Sequence, residues 1–92
     1  MPDEINLDLI EPTPDTLSAI SAAFDSVTLC NTIIAENNTN PNKTQDNLSI
    51  IERNRGHLSI MMGKTWFTAA LSPQQTMEIN DCIAACEFYL IV

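Results

Sequence analysis

The chain opens on a period of two. Ile5, Leu7 and Leu9 alternate with Asn6 and Asp8, the pattern of an extended arm with one apolar face. Such an arm either lies across its own helices or reaches onto a neighbour by strand addition. Glu11-Pro12-Thr13-Pro14 stops it, and the rhythm changes to that of a helix. Leu17, Ile20, Phe24, Val27 and Ile34 follow at spacings of 3, 4, 3 and 7, which places them on one helical face. Thr13 reads as the N-cap, Pro14 as the first helical position, and Asp15 falls where a carboxylate meets the positive end of the helix dipole. The vacant stripe position is Asn31. It is either a register-setting polar residue in an apolar seam or a residue meeting water near the helix end.

Asn37-Asn38-Thr39-Asn40-Pro41-Asn42 is a turn, because Pro41 and the Asn cluster exclude helix continuation. A second helix is predicted from about residue 43 to the mid-60s, with Asn42 or Thr44 as its cap. Its stripe is Leu48, Ile51, Leu58 and Met61 or Met62, with Asn54 on the apolar side. Gly56, costly in a helix interior, suggests close approach of another backbone. Residues 64–71 join this helix to the next, and Trp66 and Phe67 are expected to form an aromatic knot there. Ser72-Pro73-Gln74-Gln75 starts the third helix, with Ser72 as N-cap, Pro73 at the first position and a capping-box Gln75. Ile79, Ile83, Cys86 and Leu90 make its stripe, widened by Met77, Ala84 and Phe88, with Tyr89 beside it. The expectation is an all-α fold: an antiparallel helical hairpin plus a third helix over residues 13–92, preceded by an extended arm over residues 1–12.

Charge sharpens the hairpin. The four basic residues, Lys43, Arg53, Arg55 and Lys64, all lie beyond the turn, while the first 42 residues carry seven acids and no Lys or Arg. Folding the chain back near residue 40 sets Asp15 opposite Lys64, Asp25 opposite Arg55 and Glu36 opposite Lys43. Arg53 and Arg55 splay to different sides of a helix, so one is left to meet a partner.

With 92 residues the chain is one domain, and 45% apolar content is enough for a folded core. A net charge of −8 disfavours direct contact with nucleic acid or anionic lipid. No apolar run is expected to reach the length of a membrane span, about 18 residues, and the acidic start Met1-Pro2-Asp3-Glu4 differs from a secretory signal. An odd count of three cysteines does not resemble a disulfide framework and reads as reduced thiols.

Little in the sequence points to catalysis. Gly63-Lys64-Thr65 resembles the end of a phosphate-binding loop, but position 58 is Leu where the motif needs Gly, and a helix precedes it. Cys82 and Cys86 share a helix face, and with Cys30 and His57 they would complete a four-ligand zinc set. The spacing matches no familiar zinc module, so the cysteines read as buried core residues. His57, the single histidine, has no oxyanion turn to work with. The expectation is no catalytic residue, no cofactor and no metal ligand.

Residues 51–64, Ile-Glu-Arg-Asn-Arg-Gly-His-Leu-Ser-Ile-Met-Met-Gly-Lys, followed by Thr65-Trp66-Phe67 and the helix to Ala85, resemble segments of small tailed-phage proteins. Those share a Glu-Arg-Asn-x-x-His-Leu-x-Ile-Met core, then a Lys and an aromatic. The likeness covers residues 51–85 and departs at Arg55, where apolar residues are commoner. It implies a structural role in a virion assembled in the host cytoplasm, and brings no catalytic residues. The expected function is therefore a non-enzymatic capsid or tail component that contacts copies of itself or a larger virion protein. Its partner-binding residues would be Ile5, Leu7, Leu9, Arg53, Arg55, Phe88, Tyr89 and Leu90. The competing reading is a soluble acidic phage regulator that binds a host protein.

Overall fold

A computed structural model describes residues 13–92. The expected arm, with Ile5, Leu7 and Leu9, lies outside the described residues. The chain is all-helical over this span: α1 runs Pro14–Thr39, α2 Gln45–Met62, α3 Thr65–Thr68 and α4 Pro73–Ile91. The long helices α1, α2 and α4 pack on one another pairwise, and the single turn α3 leans on α1 and α2.

The helix starts are those the sequence encodes. The Thr13 hydroxyl accepts from the Thr16 N–H at the head of α1, and the Thr44 hydroxyl accepts from the Asn47 N–H at the head of α2. Ser72 and Gln75 form a reciprocal capping box on α4, at 3.1 and 2.9 Å. Each satisfies amide donors that the first helical turn leaves unpaired. α2 ends at Gly63, whose N–H donates to Ile60, so Gly63-Lys64-Thr65 is a helix end and the start of α3.

The stripes on α1 and α4 are centred one position away from the expected lines. On α1 the buried residues are Ala23, Val27, Cys30 and Ile33, with Leu17 55% exposed. On α4 they are Ile79, Cys82, Cys86 and Tyr89, whereas Met77 and Phe88 face outward. The vacancy at Asn31 thus resolves: the core position is Cys30, and Asn31 is exposed. α2 follows its predicted stripe, with Ile51, Leu58 and Met61 buried. Its half-buried Asn54 donates to the Ile50 carbonyl at 2.8 Å, a bond inside its own helix.

Three other expectations need correction. None of the charge pairs Asp15–Lys64, Asp25–Arg55 and Glu36–Lys43 forms among the described residues; Arg55 instead lies 3.9 Å from Glu87 of α4. The α2 helix packs on α4 as well as on α1, and exposed ion pairs, worth about 0–1 kcal/mol each, are too weak to choose between these neighbours. Gly56 serves no close approach, since an added Cβ would meet nothing within 4 Å. Finally, α1 holds an 18-residue window that is long and apolar enough, by length and composition, to cross a membrane. Within the bundle 22% of that window is buried, on the face that packs against α2 and α4. The aromatic knot is divided: Phe67 is fully buried and Trp66 is 52% exposed, the rings meeting edge to face at 6.0 Å.

Candidate functional site

Two places in the bundle carry unusual chemistry. The first is the layer where α1 meets α4. Cys82 and Cys86 are four residues apart, so both project from one face of α4. That face meets the line of α1 that carries Cys30. The three sulfurs lie within 4.8 Å of one another, and all three residues are buried. Cys82 also points its thiol toward the Val27 carbonyl, at 4.0 Å. No histidine or carboxylate joins this cluster among the described residues, and His57 is exposed on α2.

The thiols do not behave alike. Cys82 and Cys86 hydrogen-bond to the Cys30 sulfur, which holds the Cys30 thiol well below the ordinary thiol range. The bond to Cys30 is also the largest cause raising Cys82, to about 11, and Cys86 further still, with burial adding to both. One sulfur can accept two S–H donors as a thiolate; a second negative charge in the same dry volume is opposed by the first.

The second place is the end of α4. Tyr89 is buried at 3% exposure, and its hydroxyl donates to Asn42 Oδ1 at 2.9 Å. Asn42 is the hub of the α1–α2 turn. Its Nδ2 donates to the Ile33 carbonyl at 2.9 Å, its N–H donates to Asn37 Oδ1 at 2.9 Å, and its carbonyl accepts from Asn47 Nδ2 at 2.7 Å. One residue therefore ties the end of α1, the start of α2 and the last turn of α4, its side chain joining α1 to α4 and its carbonyl holding α2. Lys43 sits 5.1 Å from the centre of the Tyr89 ring, a cation–π contact. Burial raises the Tyr89 phenol above its ordinary range.

The expected partner residues divide accordingly. Phe88 is 67% exposed, and the neighbouring Ile91 and Val92 are exposed as well. Phe88 and Val92 border a crevice of about 70 Å³ between Ile34 and Asn38 of α1 and Ala85 of α4. Leu90 is half-buried against the core. Tyr89 belongs to the core and offers a partner almost no surface, being 3% exposed with its hydroxyl held by Asn42. Arg53 is exposed on α2, and Arg55 leans toward Glu87.

The sequence offers Cys30, Cys82, Cys86 and His57 as one set but favours buried core cysteines; the three cysteines do come together in the core, without His57. The missing signal was the true centre line of α1, on which Cys30 replaces the expected Asn31 position. Compared with known protein families, curated proteins and solved structures, the chain matches none.

Proposed function

We propose that the chain is a non-enzymatic assembly protein of a phage particle, acting through contacts with copies of itself or with a larger virion protein. The observation that carries this reading is the apolar end of α4. A short bundle that exposes Phe88, Ile91 and Val92 side by side, beside a small apolar crevice, has a surface suited to burial against another protein. The resemblance of residues 51–85 to tailed-phage proteins supports setting that contact in a virion. Exposed Arg53 supplies orientation through charge more than affinity.

Light scattering on the purified chain, together with quantitative mass spectrometry of purified particles, tests this. The expected result is a defined oligomer, or a fixed copy number in particles. Phe88→Ser should reduce it while leaving helicity intact, because Phe88 makes little of the core. A chain that stays monomeric and is absent from particles would sink the proposal. Recovery with one host protein instead would favour the regulator.

A further inference from the structure

We infer that Cys30, Cys82 and Cys86 form a three-thiolate site for a soft metal or metalloid ion that takes three ligands. The donor set is the first argument. Three thiol sulfurs gathered within 4.8 Å, with no oxygen or nitrogen side chain among them, select soft ions over hard ones. Coordination number is the second. Structural zinc takes four ligands in a tetrahedron, and here the fourth position has neither a histidine nor a carboxylate among the described residues. Cys30 and Cys86 have no exposed surface and Cys82 only 2%, so water is a poor substitute. An ion that is content with three sulfurs fits.

Distance is the third argument. At the centre of a triangle with edges no longer than 4.8 Å, an ion lies at most about 2.8 Å from each sulfur, against about 2.3 Å for a zinc–thiolate bond. Closing that gap takes about half an ångström per sulfur, within the reach of small χ1 adjustments. The fourth argument is access. A groove of about 530 Å³ opens between Thr28 and Asn31 of α1 and Glu78 and Asp81 of α4, and Cys82 forms part of its lining. The groove brings an incoming ion up to Cys82, the outer edge of the cluster.

Charge then ranks the ions. Three thiolates around a monovalent or divalent ion leave net negative charge in an apolar core, which is costly when unpaired. A trivalent centre leaves none. Arsenous acid is therefore the favoured probe. Each of its three arsenic–oxygen bonds breaks as an arsenic–sulfur bond forms. The Cys82 and Cys86 protons leave with two of the hydroxides as water, the third hydroxide departs as the Cys30 thiolate takes its place, nothing is oxidised or reduced, and the product is neutral.

The test uses the full reduced chain titrated with arsenous acid, with a parallel zinc titration. Native mass spectrometry should show one arsenic per chain. The count of free thiols should fall from three to none at one equivalent, and Tm should rise with ligand concentration because the folded cluster is preorganised. Zinc at equal concentration should raise Tm less. A count that stays at three overturns the inference. So does a fall of only two, which would mean a dithiol on α4 alone, and so does a Tm that fails to rise or rises more with zinc. Cys30→Ala should abolish the rise in Tm; should that variant not fold, the wild-type titrations decide alone.

Discussion

Replacing Tyr89 by Phe removes one oxygen from the point where three helices are tied together. The ring stays in place, and so does the Lys43 contact, so the change isolates the hydroxyl. That hydroxyl donates to Asn42 Oδ1 at 2.9 Å, with the Asn42 carbonyl as a second acceptor at 3.3 Å. A hydrogen bond of this kind contributes about 0.5–1.5 kcal/mol net. The orphaned Oδ1 should add little beyond this, because Asn42 is only half-buried. The expected loss is about 1 kcal/mol, which lowers Tm by about 4–8 °C in a domain of this size. Asn42→Ala should cost about 2 kcal/mol, since it also removes the bond from Nδ2 to the Ile33 carbonyl. The double variant should then cost about 1 kcal/mol less than the sum, because both single changes delete the same bond. Urea unfolding followed by circular dichroism measures all four proteins. A Tyr89→Phe variant as stable as the parent, or singles that add without coupling, would refute the idea that this bond joins α4 to the turn.

Three further outcomes are expected. Gly56→Ala should stabilise the chain by about 0.8–1 kcal/mol in the same urea assay, because the new Cβ meets nothing within 4 Å and a helix interior favours Ala. Stability should fall as pH rises above about 8.5. Unfolded thiols lose their protons there, while native Cys82, raised to about 11, and Cys86, raised further, retain theirs; the Tyr89 phenol extends the loss above pH 10. A stability profile that stays flat from pH 8 to 10.5 would count against this. Glu87→Gln should change stability by less than about 0.5 kcal/mol, since its partner Arg55 lies 3.9 Å away and the pair is solvent-exposed; a larger loss would mean that the pair fixes how α2 and α4 meet.

The parts of the fold legible in the sequence are those decided by local chemistry. Thr13-Pro14, Thr44 and Ser72-Pro73 mark helix starts because each hydroxyl has an amide donor within reach, whatever the rest of the chain does. The stripe on α2 was legible because its large apolar residues, Ile51 and Leu58, occupy its centre. On α1 and α4 the centre lines are held by small residues, Ala23, Cys30 and Cys82, and the larger Leu17, Met77 and Phe88 lie to the side. A reading that follows the largest hydrophobic residues drifts off such a line by one position. The charge pattern misled for a different reason. Ion pairs on a wet surface follow the packing; they do not set it, so Arg55 takes the carboxylate that α4 presents.

That drift also weakened the case for the thiol cluster, because it left Cys30 off the expected face of α1. Cysteine packs as a small hydrophobe, so Ala or Val would fill this layer about as well; what distinguishes it is reactivity. Three cysteines that bury their sulfurs within 4.8 Å of one another therefore invite a comparison between packing and chemistry. Cys86→Val changes volume little and removes one sulfur. Core swaps that conserve volume usually cost less than about 1.5 kcal/mol, so this variant should remain folded and near parental stability. The two readings separate on what else changes. If the cluster is only packing, Cys86→Val should match the parent in arsenous acid as well as in buffer. If the three sulfurs act together, the variant should keep its stability in buffer and lose the rise in Tm that arsenous acid gives the parent. The apolar end of α4 lies about a turn beyond Cys86 and is untouched by this change, so the oligomeric state of the variant should equal that of the parent under either reading.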